Sequence, residues 1–133
     1  MSSSLIQVAN QSAQAVAANS IISLGSVQRR FGCNCRLSGN AVEVSGEGYY
    51  IIDADISVAP TASGPVTVAL FNNGLQVPGA IAYGTGTAGD PVSLSITGTI
   101  RQSCCCDSAD TLTLVLVSGA GTVQNVSMRV TKA

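Results

Sequence analysis

The sequence predicts an all-β fold, and residues 48–58 give the clearest indication of it. Along an extended strand, side chains alternate between two faces. One face of this stretch is apolar throughout and consists of Tyr50, Ile52, Ala54, Ile56 and Val58. The other face begins aromatic and becomes acidic, with Tyr49, Ile51, Asp53, Asp55 and Ser57. The first face belongs in a core, and the second is either wet or pressed against another protein surface.

Short apolar or alternating segments recur along the chain between Gly, Pro and Asn turn signals, without a convincing long helix. We expect strands at 5–8, 21–27, 41–44, 48–58, 66–71, 75–83, 92–100, 111–117 and 123–130. Asn72-Asn73-Gly74 is a strong hairpin signal, and residues 60–65 and 84–91 are expected to be loops. This spacing favours an antiparallel sandwich or jelly roll. Residues 1–20 are expected to pack on or near a domain formed by residues 21–133.

The composition indicates that part of the surface is covered by self-association. Ordinary domains carry about 25% charged residues, whereas this chain of 133 residues has 10% charged and 46% apolar residues. So few charges leave little with which to cover the surface of a monomer. We therefore expect one flank of the sheet to lie against other copies of the chain.

Charge and hydropathy exclude two classes of partner. The net charge is −1, the pI is near 5.0 and there is no basic run, so nucleic-acid binding is not expected. The apolar runs are far shorter than the ~20 residues of a membrane-spanning helix, so membrane insertion is not expected. We see no secretory signal at the N-terminus and expect synthesis in the cytoplasm, followed by a place on a virion or cell surface after assembly or lysis.

Five cysteines without any histidine are the main reactive feature. They form two clusters, namely Cys33 with Cys35, and Cys104, Cys105 and Cys106. One interpretation is a disulfide between the clusters, which would leave an odd thiol. A zinc site is a second interpretation, although neither cluster has the usual zinc-ligand spacing. The third is that these are small buried residues and free thiols.

Catalytic and cofactor chemistry have little support in the sequence. Without histidine, a serine or cysteine nucleophile lacks its usual base, so we do not expect an enzyme. Asp107 and Asp110 could bind calcium through oxygen ligands, but solvated turn residues are the favoured interpretation. We therefore expect no cofactor, with zinc at the cysteines or calcium at these two aspartates as the alternative.

Several strings resemble the jelly-roll heads of the tumour-necrosis-factor-like and complement globular-head family. They are Gly48-Tyr49-Tyr50-Ile51-Ile52-Asp53, Val68-Ala69-Leu70-Phe71-Asn72-Asn73-Gly74, and the segments 110–114 and 126–130. The chain is most similar to the compact versions found at the ends of bacterial and phage collagen-like or tail-associated proteins, although it has no Gly-X-Y stalk. The resemblance implies a ten-stranded antiparallel jelly-roll sandwich that forms a homotrimer with its inner sheet facing the threefold axis.

A trimer would explain the acidic face of the central strand. The candidate interface residues are Tyr49, Ile51, Asp53, Asp55, Arg101 and Arg129. Under this hypothesis the charged groups pair between copies, as a buried polar layer that specifies register. The alternative is a solvated outer face.

The function expected from these observations is that of a non-enzymatic, trimeric structural or recognition head. We expect a phage or prophage virion or tail-associated protein, or a bacterial surface protein, whose loops 72–74, 84–91 and 118–121 contact a neighbour or a host-surface ligand. The alternative is a lectin-like module that binds a glycan or another ligand. Sugar binding usually needs aromatic platforms, and the chain offers only Phe31, Tyr49, Tyr50, Phe71 and Tyr83.

Overall fold

A computed structural model describes residues 4–32, 34–102 and 110–132. These residues form β-strands and contain no helix. The strands are β1 (Leu5–Asn10), β2 (Gln14–Val16), β3 (Ser20–Ile21), β4 (Ser26–Phe31), β5 (Cys35–Ser38), β6 (Ala41–Val44), β7 (Gly48–Pro60), β8 (Gly64–Asn72), β9 (Leu75–Gly86), β10 (Val92–Gln102), β11 (Asp110–Ser118) and β12 (Gly121–Lys132).

The strands form two antiparallel sheets. The first sheet has the order β10-β7-β12-β1-β4, and the second has the order β5-β6-β11-β8-β9. These two paths supply the ten strands that the resemblance implied. Two short additional strands lie off the paths, since β2 pairs with β12 and β3 pairs with β11. The prediction of an antiparallel all-β sandwich is confirmed.

The core lies between the sheets and follows the alternation of β7. The five residues of its predicted apolar face are all at most 2% exposed. From the second sheet, Leu112, Leu114 and Leu116 of β11 are fully buried against them in the same core cluster. Aliphatic side chains fill this core almost alone, and Tyr50 is its one aromatic residue among the described positions.

The strand predicted at residues 21–27 was wrong, because the chain changes sheets within it. Ile21 ends β3 in the second sheet, whereas Ser26 begins β4 in the first. Gly25 lies between them at φ +78°, a conformation that glycine adopts without a steric penalty. A Cβ at Gly25 would also overlap the carbonyl oxygen of Ala9. The local alternation could not reveal this crossing.

The hairpin turn predicted at residues 72–74 is confirmed, but the loop predicted at residues 84–91 is shorter in the structure. Asn73 and Gly74 both have positive φ, at 54° and 84°, as a two-residue β-hairpin turn requires. The loop expected at residues 84–91 begins only after Gly86, where β9 ends. Gly84 lies within β9, and a Cβ at this position would stand only 2.8 Å from the Leu94 side chain. Glycine therefore lets β9 come close to β10.

The sandwich has two different sides, which we call the β4 side and the β10 side. Strands β4 and β5 are edge strands of the two sheets on the β4 side, where Arg30 Nε donates to the Cys35 carbonyl oxygen at 2.8 Å. Strands β10 and β9 are the edge strands on the β10 side and contact each other.

Cys35 and Tyr50 are buried near the start of β7. The Tyr50 hydroxyl lies 2.8 Å from the Ser45 carbonyl oxygen and 2.9 Å from that of Gly46, so its proton is shared between two acceptors. Cys35 is 1% exposed. Burial raises the pKa of its thiol from 9.0 to about 11, and the nearby cations Arg30 and Lys132 offset only part of this rise.

We predict that Cys35 resists alkylation in the folded protein. With a pKa of about 11, only about 0.1% of the thiol is ionised at pH 8, and the thiolate is the reactive form. Iodoacetamide at pH 8 should leave Cys35 unmodified without denaturant and modify it fully in urea. Tandem mass spectrometry of the tryptic peptide 31–36 localises the label. Equal labelling rates with and without urea would contradict the burial of this thiol.

The raised thiol pKa also predicts a loss of stability in alkali. A folded-state pKa above the ordinary value means that the folded chain keeps a proton that the unfolded chain releases. This contribution is fully present below pH 9 and is lost as the pH rises from about 9 to about 11. The free energy of unfolding should therefore fall less steeply over this range in Cys35→Val than in the wild type.

We predict that Tyr50→Phe lowers the free energy of unfolding by about 1 kcal/mol, the net value of a typical buried hydrogen bond. The Ser45 carbonyl oxygen keeps a second donor, Asn34 Nδ2 at 2.7 Å, so the loss falls mainly on Gly46. Urea unfolding measures the difference. Tyr83→Phe is the control because Tyr83 is 72% exposed, and it should unfold like the wild type. Identical curves for both variants would refute the assigned role of the Tyr50 hydroxyl.

Candidate functional site

The candidate functional site is the face of the first sheet that points away from the core, which we call the outer face. Directly opposed residues of antiparallel strands lie on the same face. The strand register therefore arranges the outer face in rows that run across the sheet from the β4 side to the β10 side.

One row is mainly apolar, and we call it the apolar row. It consists of Phe31, Leu5, Thr131, Ile51 and Thr99. Phe31 is 55% exposed and Ile51 is 43% exposed. Beyond this row Tyr49 pairs with Arg101, whose guanidinium carbon lies 5.9 Å from the centre of the Tyr49 ring. This distance is within the range of a cation–π contact.

The next row is charged. It consists of Arg29, Gln7, Arg129, Asp53 and Thr97. Arg129 Nη2 lies 3.0 Å from Asp53 Oδ2. The sequence hypothesis placed such pairs between copies, whereas this pair forms within one chain. In water an exposed pair of this kind contributes only about 0–1 kcal/mol to stability. Its contribution therefore depends on whether another copy covers it.

The third row carries small polar side chains. It consists of Ser26, Ala9, Ser127, Asp55 and Ser95. Ser95 Oγ donates to Asp55 Oδ1 at 2.7 Å, and among the described residues no cation lies within ion-pair distance of Asp55. Because Ser and Ala project little, this end of the outer face permits a close approach by another surface.

The structure brings all six candidate interface residues together on the outer face. Tyr49, Ile51, Asp53 and Asp55 alternate along β7, with Arg101 on one neighbouring strand and Arg129 on the other. Their role in contacts between copies stays a prediction.

Sequence reasoning missed the half of the outer face that β1 and β4 supply. Phe31, Leu5, Gln7 and Arg29 belong to it through pairing that joins the two ends of the chain. The sequence feature that comes closest to identifying them is the string Arg29-Arg30-Phe31. It places charged and aromatic residues together without the apolar alternation of a core strand. That string alone does not identify the strand beside it.

Only some of the residues in the cysteine and metal predictions belong to the described part of the chain. Cys35 is a free, buried thiol, in agreement with the third interpretation for this residue. Cys33, Cys104, Cys105 and Cys106 lie outside the described residues, as does Asp107, so the disulfide, zinc and calcium interpretations stay predictions for them. Asp110 accepts a hydrogen bond from Asn73 Nδ2 at 2.9 Å.

The described residues contain neither a candidate metal cluster nor a candidate membrane-spanning helix. Within residues 4–32, 34–102 and 110–132, no group of three or more His, Cys, Asp or Glu side chains could hold a metal ion. The same residues include no helix long and apolar enough to span a membrane.

Comparison with known proteins identifies the fold through structure alone. No family model matches the chain, and no curated protein sequence matches it. The structure of murine APRIL is similar, with a TM-score of 0.75 at 11% identity over 99% of this chain and 100% of that chain. The globular domain of zebrafish complement 1qA protein has a TM-score of 0.70 at 7% identity, covering 96% and 94%.

A third similar structure is that of PRD1 vertex protein P5. Its TM-score is 0.62 at 10% identity, over 97% of this chain and 72% of that chain. At such low identity, these similarities show the fold and not the function. The chain has a tumour-necrosis-factor-like jelly-roll fold, as its sequence resemblance predicted.

Proposed function

We propose that this chain forms the homotrimeric head of a non-enzymatic structural or recognition protein, in a phage or prophage virion or tail or on a bacterial surface. The observation that carries the proposal is the outer face, where Phe31, Tyr49 and Ile51 are exposed on the same face of one sheet in a single chain. Exposed apolar area that recurs across one face marks an interaction surface. A second copy of the chain is the occupant that its low charge content favours.

The ion pair of the outer face is compatible with burial between copies, because Asp53 already has Arg129 as its partner. Asp55 has the Ser95 hydroxyl as a donor but no cation among the described residues, so its burial requires a cation from another copy. Burying charges that are paired and hydrogen-bonded costs much less than burying isolated charges. The charged row would then lie within the interface and act mainly on the relative register of the copies.

The distribution of exposed apolar residues is compatible with a ring of copies. Phe31, Tyr49 and Ile51 lie on the outer face, whereas Leu75 and Tyr83 are exposed on β9 at the β10 side. Two different patches on one chain fit a head-to-tail contact, which closes into a ring when the rotation permits. The number three comes from the family resemblance.

The structural neighbours support the biological part of the proposal. One of them is a vertex protein, PRD1 P5, and two others are APRIL and a complement globular domain. A head of this kind would be made in the cytoplasm and act on a virion or cell surface, where its loops meet neighbouring proteins or a host-surface ligand.

A lectin-like module is the second candidate, and the exposure of Tyr83 favours it. Its ring is 72% exposed on an edge strand, where it could serve as a platform for a sugar. Glycan-array binding that Tyr83→Ala abolishes would support this candidate, whereas an array without binders would leave the structural head.

We predict that Ile51→Arg converts a trimer into a folded monomer. The substitution places a charge within the apolar row, where burial against another copy becomes unfavourable. Size-exclusion chromatography with light scattering, with and without reductant, measures the mass. Ile21→Arg is the matched control, because Ile21 is 50% exposed on the second sheet, and it should stay trimeric. A monomeric wild type at micromolar concentration would refute the proposed assembly.

We predict that Arg129→Ala lowers the midpoint of thermal dissociation of the trimer. Removing the guanidinium leaves Asp53 unpaired, and an unpaired buried carboxylate costs about 3–5 kcal/mol. The control is Arg36→Ala, which removes the other ion pair of the described chain, Arg36 with Glu43, on the second sheet. That exposed pair is worth about 1 kcal/mol or less. Equal midpoints for the two variants would show that the outer face is not covered.

A further inference from the structure

The β10 side of the sandwich holds a cavity of about 360 Å³, which we call the socket. It lies where the end of β10 meets the β8–β9 hairpin. Its apolar lining includes Val77 and Ile100, which are each 7% exposed, and Leu75, which is 75% exposed. Thr99 and Arg101 line the part that continues onto the outer face. The socket is therefore partly apolar, with three amide side chains and a guanidinium also in its lining.

One polar atom in the wall of the socket has no hydrogen-bond partner among the described residues, namely the buried amide oxygen of Asn72. An apolar occupant cannot donate to this oxygen. The case for such an occupant therefore depends on Leu75, which is 75% exposed, and on the apolar part of the lining.

The opposite edge of the same sheet carries an exposed aromatic ring. Phe31 ends β4, a strand whose six residues are all exposed. The register places Phe31 in the same row as Thr99 of the socket wall, through Leu5, Thr131 and Ile51. Four strand spacings of about 4.8 Å separate the two edges, roughly 19 Å in all. Phe31 therefore cannot reach the socket of its own chain.

A ring of copies brings these two edges together. In a head-to-tail ring whose axis runs along the strands, the β4 side of one copy faces the β10 side of the next, and groups of the same row meet at the same height. We propose that Phe31 of each copy inserts into the socket of the next copy. This inference rests on the proposed self-association and identifies the residue that would fill the socket.

The chemistry of the two partners is complementary. A phenyl ring is apolar and smaller than the socket, so it can bury against Val77 and Ile100. The Arg101 guanidinium already lies 5.9 Å from the centre of the Tyr49 ring, so an incoming phenyl ring would be a second aromatic neighbour of this cation. Arg30 precedes Phe31 in β4. Its guanidinium donates to the Cys35 carbonyl oxygen of its own chain, so it would stay outside the contact.

A photocrosslink tests the contact directly. Phe31 is replaced by p-benzoylphenylalanine, which keeps an aromatic side chain, and ¹⁴N- and ¹⁵N-labelled chains are mixed after unfolding and refolding together. Irradiation should give crosslinked peptides of mixed isotope composition that join residue 31 to residues 72–78 or 99–101. Crosslinks from an intact trimer that map to other residues would overturn the inference.

The Phe31→Ala variant tests the energetic weight of the contact. A buried aromatic anchor at the centre of a contact behaves as a hot spot, so we expect the concentration of half-assembly to rise about tenfold or more. Ile21→Ala, which truncates an exposed residue of the second sheet, should change it less than about twofold.

The outcomes separate this inference from the proposed function. If Phe31→Ala assembles like the wild type, the socket contact is wrong and the trimer stands. If the wild type is monomeric, both are wrong.

Discussion

The alternation of β7 is the constraint on which the rest of this structure depends. Each second side chain of that strand enters the core, and β12 and β10 pair with β7 on its two sides. Because a shift by one residue would exchange the two faces completely, the dry core holds the register of the whole first sheet. The same register places the intervening side chains in rows on the outer face. Core packing and the composition of the candidate interface are thus two results of one periodicity.

The outer face combines features that a solvated sheet surface rarely combines. Its apolar end exposes aromatic and aliphatic side chains, while its other end is built from serine, alanine and a carboxylate held by Ser95. The ion pair between Arg129 and Asp53 lies between these ends. In the proposed assembly, the small side chains would permit close contact, the apolar end would be buried and the ion pair would select one alignment. The low charge content of the chain is consistent with that proposal.

The two sides of the sandwich differ, and this difference would give the proposed assembly a direction. The β4 side ends in the exposed Phe31, whereas the β10 side carries the socket beside the β8–β9 hairpin. An aromatic ring on one side and a cavity on the other are complementary between copies. In the proposed ring each copy presents one side to each neighbour.

The sequence by itself determined the strands that alternate, the apolar face of β7, the hairpin turn at Asn73-Gly74 and the shared face of Asp53 and Asp55. These features depend on a two-residue period or on local backbone preferences, which act between near neighbours. Only the tertiary structure decided the crossing at Gly25, the pairing of β1 with β12 and β4, the ion pair of Asp53 with Arg129 of its own chain, and the row that joins Phe31 to Thr99. Each of these arises from contacts between residues far apart in the chain, for which the local pattern carries no information.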